Sequence, residues 1–162
     1  MKSIFYVGGV VRVYRAALDY LLSVPEEAWQ DPAAISLPES LREEILRIGT
    51  RGMTENFIDT RPGSSEMLYD SSRATQSYEP VAVIIQPGGS PFVELRNQVL
   101  VGEQVEYMKR GIDVQLLTIT AMRDEGGISF EKGNPGNHIY LTTEPQIEFG
   151  GAANGILRRR KT

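Results

Sequence analysis

The sequence lacks cysteine entirely and has a single histidine, His138, among its 162 residues. Without cysteine there can be no disulfide framework, thiolate zinc site, iron–sulfur cluster or cysteine nucleophile in this chain. One histidine cannot supply the three or four converging ligands of a histidine metal site, and no G-x-S-x-G elbow is present. We therefore predict a chain with no catalytic centre and no cofactor of its own, with His138 as a surface residue.

Long apolar runs are also missing. No stretch approaches the ~20 apolar residues that span a bilayer. The apolar start of the chain is interrupted by Arg12 and Arg15, and its pattern continues with helical spacing, unlike a signal peptide. Together with the lack of cysteine, which is typical of a reducing compartment, this predicts a cytoplasmic protein that does not contact a membrane.

An excess of positive charge is the third absence, since the formal net charge is −4. A general nucleic-acid binder shows a broad basic face, but here positive charge is concentrated only in the tail, residues 158–161. The tail is either a solvated terminus or a contact for RNA phosphates. The acidic pairs Glu43-Glu44 and Asp124-Glu125 are predicted to be solvated charges, because neither neighbourhood offers the burial that shifts a carboxyl pKa.

Helical periodicity dominates the N-terminal part. Residues 4–22 place apolar side chains at spacings of three and four, namely Ile4, Val7, Val11, Tyr14, Leu18 and Leu21. The rest of this helix is also largely apolar, so we predict that it is buried against a partner or a second copy. Ser36-Leu37-Pro38-Glu39 has the pattern of a capping box and predicts a short helix with Leu41, Ile45 and Ile48 on one face. Residues 49–79 are polar and irregular.

Short strands separated by turns follow from Val81. The predicted strands are residues 81–86, 92–96, 103–108, 112–122, 128–131 and 138–142. Closure removes unpaired strand edges, so we favour a barrel over a sandwich. A slip in the apolar alternation between Leu116 and Leu117 predicts a β-bulge or a corner of the barrel. The fold class is thus mostly β, with a helical segment and long connecting loop in residues 1–79 and a small closed β-barrel domain in residues 80–160.

Three ordered blocks of sequence match the pattern of a known family. They are residues 2–19 (KSIFYVGGVVRVYRAALD), residues 51–57 (RGMTENF) and residues 93–106 (VELRNQVLVGEQVE). Together they resemble the C-terminal part of the peptidase U32 family, which comprises collagenase-like proteases and tRNA-hydroxylating proteins. Thr50, just before the second block, stands where the family has histidine, and within the block Met53 and Asn56 stand where the family has an aromatic residue and glycine. The third block also resembles the small β-barrel that forms the second domain of translation elongation factors.

The resemblance implies a non-catalytic C-terminal module that positions substrate or docks. Family members carry their chemistry on a preceding (β/α)-barrel domain with characteristic cysteines, and that domain is not in this sequence. The implied partner is therefore such a catalytic domain, or a second copy through residues 4–22. The parent would act on tRNA as a prephenate-dependent uridine hydroxylase, or be a protease, and the resemblance leaves this choice open. The alternative is a stand-alone protein–protein interaction module without enzymatic role, which uses the loop at 51–57.

The candidate site residues are accordingly binding residues, with none assigned to catalysis or to a metal. They come from the family-like blocks and from the basic tail. The set is Arg51, Thr54, Phe57, Arg96, Asn97, Arg158, Arg159 and Arg160.

Overall fold

The computed structural model describes residues 3–48, 76–109, 111–147 and 154–161. Helices occupy the first of these ranges: α1 is Ile4–Ser23, two 3-10 helices are Glu26–Gln30 and Pro32–Ala34, and α2 is Glu39–Leu46. Strands occupy the others. They are β1 Tyr78–Gln86, β2 Phe92–Leu95, β3 Val99–Leu100, β4 Gln104–Met108, β5 Val114–Arg123, β6 Lys132–Gly133, β7 His138–Glu144 and β8 Ile156–Arg160.

Six of the strands form a closed antiparallel barrel in the order β1-β2-β7-β5-β4-β8, and β8 pairs back onto β1. The alternation in each strand explains this arrangement, because every second side chain points inward and packs in a shared core. The core contains Val81, Ile84, Val93, Leu95, Val105, Leu117, Ile119, Met122, Ile139, Leu141 and Leu157. Strands β3 and β6 form a separate two-stranded ladder. The predicted fold class, N-terminal helices followed by a closed barrel, is confirmed.

The predicted bulge between Leu116 and Leu117 is wrong. Strands β4 and β5 pair in continuous register through both residues, and the irregularity of β5 lies between Ile119 and Ala121, where it pairs with β7. Leu116 is 56% exposed on the outside of the barrel, whereas Leu117 is buried in the core. The slip in alternation therefore marks an exposed leucine next to a core leucine, in an unbroken stretch of strand.

The short helix is confirmed as α2, but the predicted capping box is wrong. Pro38 is the N-cap residue and no side chain caps the helix. The fixed φ of proline suits it to the start of a helix, where a missing N–H costs nothing. Ser36 instead uses its backbone carbonyl, which accepts a hydrogen bond from the Tyr20 hydroxyl at 3.1 Å. This bond ties the segment before α2 to α1.

The predicted helix over residues 4–22 is confirmed as α1, which begins after Ser3. The Ser3 hydroxyl accepts a hydrogen bond from the Tyr6 N–H at 3.2 Å and so caps the first turn. Gly8-Gly9 does not break the helix. A Cβ on Gly9 would lie 2.6 Å from Cδ1 of Ile48, so this glycine lets the segment after α2 approach α1 closely. Among the described helices, none is long and apolar enough to cross a membrane.

Candidate docking surface on helix α1

A buried carboxylate joins the helices to the barrel. Glu44 of α2 is only 2% exposed and accepts hydrogen bonds from two buried arginines. Its Oε1 lies 3.0 Å from Nη1 of Arg12 on α1 and 2.6 Å from Nη1 of Arg158 on β8, and its Oε2 lies 2.9 Å from Nη2 of Arg158. Arg158 also donates from Nε to Glu106 Oε2 on β4 at 2.8 Å. These four side chains form the ion-pair cluster.

Arg12 extends the cluster to the β4–β5 hairpin. Its Nε donates to the Gly111 carbonyl at 2.6 Å, and its Nη2 donates to the Asp113 carbonyl at 2.8 Å. The planar guanidinium suits this task because its donors point in fixed, diverging directions. One side chain of α1 thus contacts both α2 and the barrel. Across the described residues, no buried side-chain nitrogen or oxygen lacks a hydrogen-bond partner.

An aromatic ring covers Arg158. The guanidinium carbon of Arg158 lies 4.7 Å from the ring centroid of Tyr78, and that of Arg47 lies 5.5 Å from the same centroid. The Tyr78 hydroxyl is 3.3 Å from Glu106 Oε1, so the ring is held in place by the cluster that it covers. Arg47 also pairs with Glu44 Oε2 at 3.2 Å. Cation–π contact and exclusion of water both strengthen the buried charge pairs.

Burial affects the two buried arginines differently. For Arg12, burial is the largest influence and lowers the pKa, and the positive charge of Arg158 adds to this effect against the raising influence of Glu44. For Arg158, burial alone would lower the pKa, but the hydrogen bonds and charges of Glu44 and Glu106 outweigh burial and raise it. Arg158 is therefore the better stabilised cation of the two.

The prediction that Glu43 and Glu44 are both solvated is wrong for Glu44. Buried residues of this segment are Leu41, Glu44 and Ile48, which share one helical face, while Ile45 is half-buried. A sequence signal existed, since Glu44 lies three residues after Leu41 and four before Ile48. Its partners could not be identified because Arg12 and Arg158 are 32 and 114 residues away. The prediction for His138 is confirmed, because it is exposed.

The cluster fixes which side of α1 faces the protein. Buried α1 residues are Phe5, Gly9, Arg12 and Val13, and Phe5 packs with Met108 and Ile156 of the barrel. At 3.6 residues per turn, the opposite side of the helix carries large exposed apolar side chains, the last of which is Leu22 at 83% exposure. Five of them, Ile4, Val7, Val11, Tyr14 and Leu18, are each 40–63% exposed, and we call them the outer face of α1. The described residues leave this face uncovered.

A depression lies beside the outer face. It has a volume of about 460 Å³ and is lined mainly by apolar side chains of α1 and α2, including Val13, Ala17, Leu41 and Ile45. Tyr14 belongs both to this depression and to the outer face. The apolar surface of α1 therefore continues into the gap between the two helices. The arrangement suits a partner segment that packs along α1 and inserts a side chain beside it.

The predicted binding residues lie in different settings. Arg158 is 0% exposed within the ion-pair cluster. Arg159 pairs with Glu79 and Glu103, at 2.7 and 2.8 Å. Arg160 is exposed. Two guanidinium groups of the tail are therefore bound to carboxylates in this structure, and their phosphate contact stays a prediction.

Of the remaining predicted residues, two directly follow strand β2 and three lie outside the described residues. Arg96 pairs with Glu94 at 3.0 Å, and the Asn97 side-chain amide donates to the Pro80 carbonyl at 2.8 Å. No hydrogen bond or ion pair joins either residue to residues 158–160, as far as the structure describes them. Arg51, Thr54 and Phe57 lie outside the described residues. Within the described ranges, no group of three or more His, Asp or Glu side chains is placed to hold a metal ion. The lack of a cofactor stays a prediction.

Comparison with known proteins identifies one curated relative. Over 130 residues, which cover 78% of this chain, the sequence is 26% identical to the tRNA hydroxylation protein P1 of Bacillus subtilis (strain 168). The similarity is distant but real. The chain matches only 29% of the length of that protein. No family model matches the sequence.

Among solved structures, the chain is similar to the C-terminal domain of a Geobacillus thermoleovorans protein described as a U32 peptidase. The match has 16% identity and a TM-score of 0.42, and it covers 51% of this chain and 91% of that domain. The selenomethionine variant of the domain matches with 17% identity and the same TM-score, over 51% and 99% of the two chains. The predicted resemblance to the tRNA-hydroxylating and U32 proteins is thereby confirmed as a distant similarity.

Proposed function

We propose that this chain is a non-catalytic docking module, which attaches through the outer face of α1 to the remainder of a longer protein similar to tRNA hydroxylation protein P1. The observation that carries the proposal is the exposure of Ile4, Val7, Val11, Tyr14 and Leu18 on one helical face. Contiguous apolar patches beyond a few hundred Å² are rare on monomeric proteins and mark interaction sites. The match to less than a third of the relative's length supports a partner in the rest of such a protein.

The spacing of the outer face indicates the form of the contact. Its residues follow one another at intervals of three, four, three and four, which is the seam of a helix that packs lengthwise against another helix. The ion-pair cluster holds α1 from the opposite side through Arg12 and Glu44. A helix fixed in this way presents its seam without a large ordering cost on binding, which favours affinity.

The name of the curated relative supports a wider role. We propose that the longer protein takes part in tRNA modification, since the relative is a tRNA hydroxylation protein. In that setting the chain positions the tRNA or orders the domain that modifies it. The stand-alone alternative depends on the loop at residues 51–57, which lies outside the described residues, so no described contact favours it.

Calorimetry tests the docking proposal. The full chain is titrated into Bacillus subtilis tRNA hydroxylation protein P1 that is expressed without the segment matching this chain. Val11→Glu places a charge in the centre of the outer face, and burying an unpaired charge costs several kcal/mol, so we expect binding to weaken at least about tenfold. Leu116→Glu is the matched control, since Leu116 is a similarly exposed apolar residue on the barrel. Equal loss of affinity in both variants, or no binding by the unaltered chain, would contradict the proposal.

A further inference from the structure

Three aromatic rings lie close together on the outside of the barrel. They belong to strands β2 and β7, whereas the barrel residues of the ion-pair cluster belong to β4 and β8. Phe92 of β2 pairs in register with Tyr140 of β7, and their ring centroids lie 5.0 Å apart. The Phe92 ring also stacks with the His138 ring, with a centroid distance of 6.0 Å and an interplanar angle of 27°. Both His138 and Tyr140 are exposed. Outward aromatic side chains on neighbouring strands offer ring faces to a ligand, with the Phe92 and Tyr140 rings tilted by 45° to each other.

An acidic turn stands beside these rings. The turn after β5 carries Asp124 and Glu125, and together with Gly126, Phe92 and His138 they line an open depression of about 470 Å³. Asp124 Oδ1 accepts from the Ile128 N–H at 2.9 Å, which fixes the shape of the turn. Glu125 is exposed and makes no ion pair or hydrogen bond with any described residue through its carboxylate. Its negative charge is therefore available to a ligand.

The charge of the lining distinguishes this depression from its neighbour. A second depression, of about 240 Å³, shares Asp124 and Glu125 with the first but also includes Tyr140 and the basic side chain of Arg123. The larger depression combines two carboxylates with two aromatic rings, and no lysine or arginine lines it. A phosphate group would be repelled there, whereas a cation would meet both the ring faces and the carboxylates.

We propose that the depression bounded by Phe92, His138, Asp124 and Glu125 binds an arginine side chain of a partner protein. A planar guanidinium stacks on aromatic rings and donates paired hydrogen bonds to a carboxylate, which a compact, strongly hydrated ammonium does less well. The rings accept the flat face of the guanidinium, and Glu125 accepts from its edge. The barrel thereby provides a second contact, on elements different from α1, for a protein partner with an exposed arginine.

Titration of the isotope-labelled full chain with acetyl-Gly-Gly-Arg-Gly-Gly-amide, followed by NMR, tests this site. We expect chemical-shift changes confined to residues 92, 124–126 and 138. The same peptide with citrulline, which keeps the shape but lacks the charge, is expected to bind several-fold more weakly, as is the lysine peptide. The exposed cation–π contact and ion pair together predict a loss of about threefold to tenfold in affinity for Glu125→Gln and for Phe92→Leu.

Glu131→Gln is the matched control, because it removes the same charge at an exposed position outside the depression. It should leave the affinity of the arginine peptide unchanged. Equal binding of the citrulline and arginine peptides, equal effects of Glu125→Gln and Glu131→Gln, or no localised shift changes at millimolar peptide would overturn the proposal. So would a single-stranded oligouridylate that shifts the same residues at lower concentration, since this would assign the surface to nucleic acid. None of these outcomes depends on docking through α1.

Discussion

The barrel and helix α1 use apolar side chains in opposite ways. In the barrel, apolar side chains at inward positions, such as Leu117 and Leu141, fill one shared core. In α1, the side that faces the protein includes Arg12 and Gly9, while the outer face is apolar. A barrel strand buries its apolar side chains in one core, whereas α1 has apolar side chains on two sides, and only one side is buried. It follows that α1 is held on one side by charge, close approach and the packing of Phe5, which leaves its outer face free for another contact.

The largest loss of stability is expected from Glu44→Gln, which disturbs the attachment of the helices to the barrel. The substitution removes the shared negative charge and leaves Arg12 and Arg158 buried with insufficient compensation, which predicts a loss of about 3–5 kcal/mol in the free energy of unfolding. Urea unfolding of both proteins measures it. Glu43→Gln is the control, because Glu43 is 61% exposed and lies 4.0 Å from Arg47, so its loss should be within about 0.5 kcal/mol. Similar values for the two variants would show that the cluster does not hold the regions together.

A substitution in the barrel core tests whether the inward side chains of β5 carry the stability of the barrel. Leu117→Ala opens a cavity in the barrel, and buried leucine-to-alanine changes cost about 2–5 kcal/mol. Leu116→Ala, at the neighbouring exposed position of β5, should cost less than about 0.5 kcal/mol. Both values come from the same urea experiment. Comparable losses at the two positions would contradict the register of β5.

The smallest effect on folding, but a visible effect on association, is expected from the outer face of α1. The uncovered face predicts that the full chain self-associates at micromolar concentration when its partner is absent. Val11→Glu should restore a monomer in light scattering and leave the urea midpoint nearly unchanged, because Val11 is 60% exposed. Leu116→Glu should leave self-association as it is. A monodisperse monomer of the unaltered chain would show that the outer face is tolerated without a cover.

Sequence reasoning predicted the parts that depend on local patterns. Alternation and glycine turns predicted the barrel, and the three-and-four spacing predicted α1 and five residues of its outer face, whereas the sixth predicted residue, Leu21, is half-buried. The same spacing could not say which side of α1 faces the barrel. That choice is made by Arg12, whose partners Gly111 and Asp113 are about a hundred positions away.

Charges were harder to place than apolar residues. Arg158 belongs to a basic run that is typical of a solvated tail, yet its side chain is buried by Glu44, Glu106 and Tyr78. A buried charge needs partners that converge from several helices and strands. A short stretch of sequence contains only one of these elements, so the partners cannot be read from it. The aromatic surface was missed for the same reason, because Phe92 and Tyr140 meet only when β2 and β7 pair.

Strand β8 has a consequence for the order in which the chain can assemble during synthesis. It closes the barrel between β1 and β4, and it also supplies Arg158 to Glu44. The helices leave the ribosome before the barrel strands, but Arg158, the arginine that binds both oxygens of their buried carboxylate, is made only with β8. Domains generally fold as units as the chain emerges. We therefore expect α1 and α2 to remain unseated on the nascent chain until β8 is released, so that barrel closure and helix attachment occur as one late event.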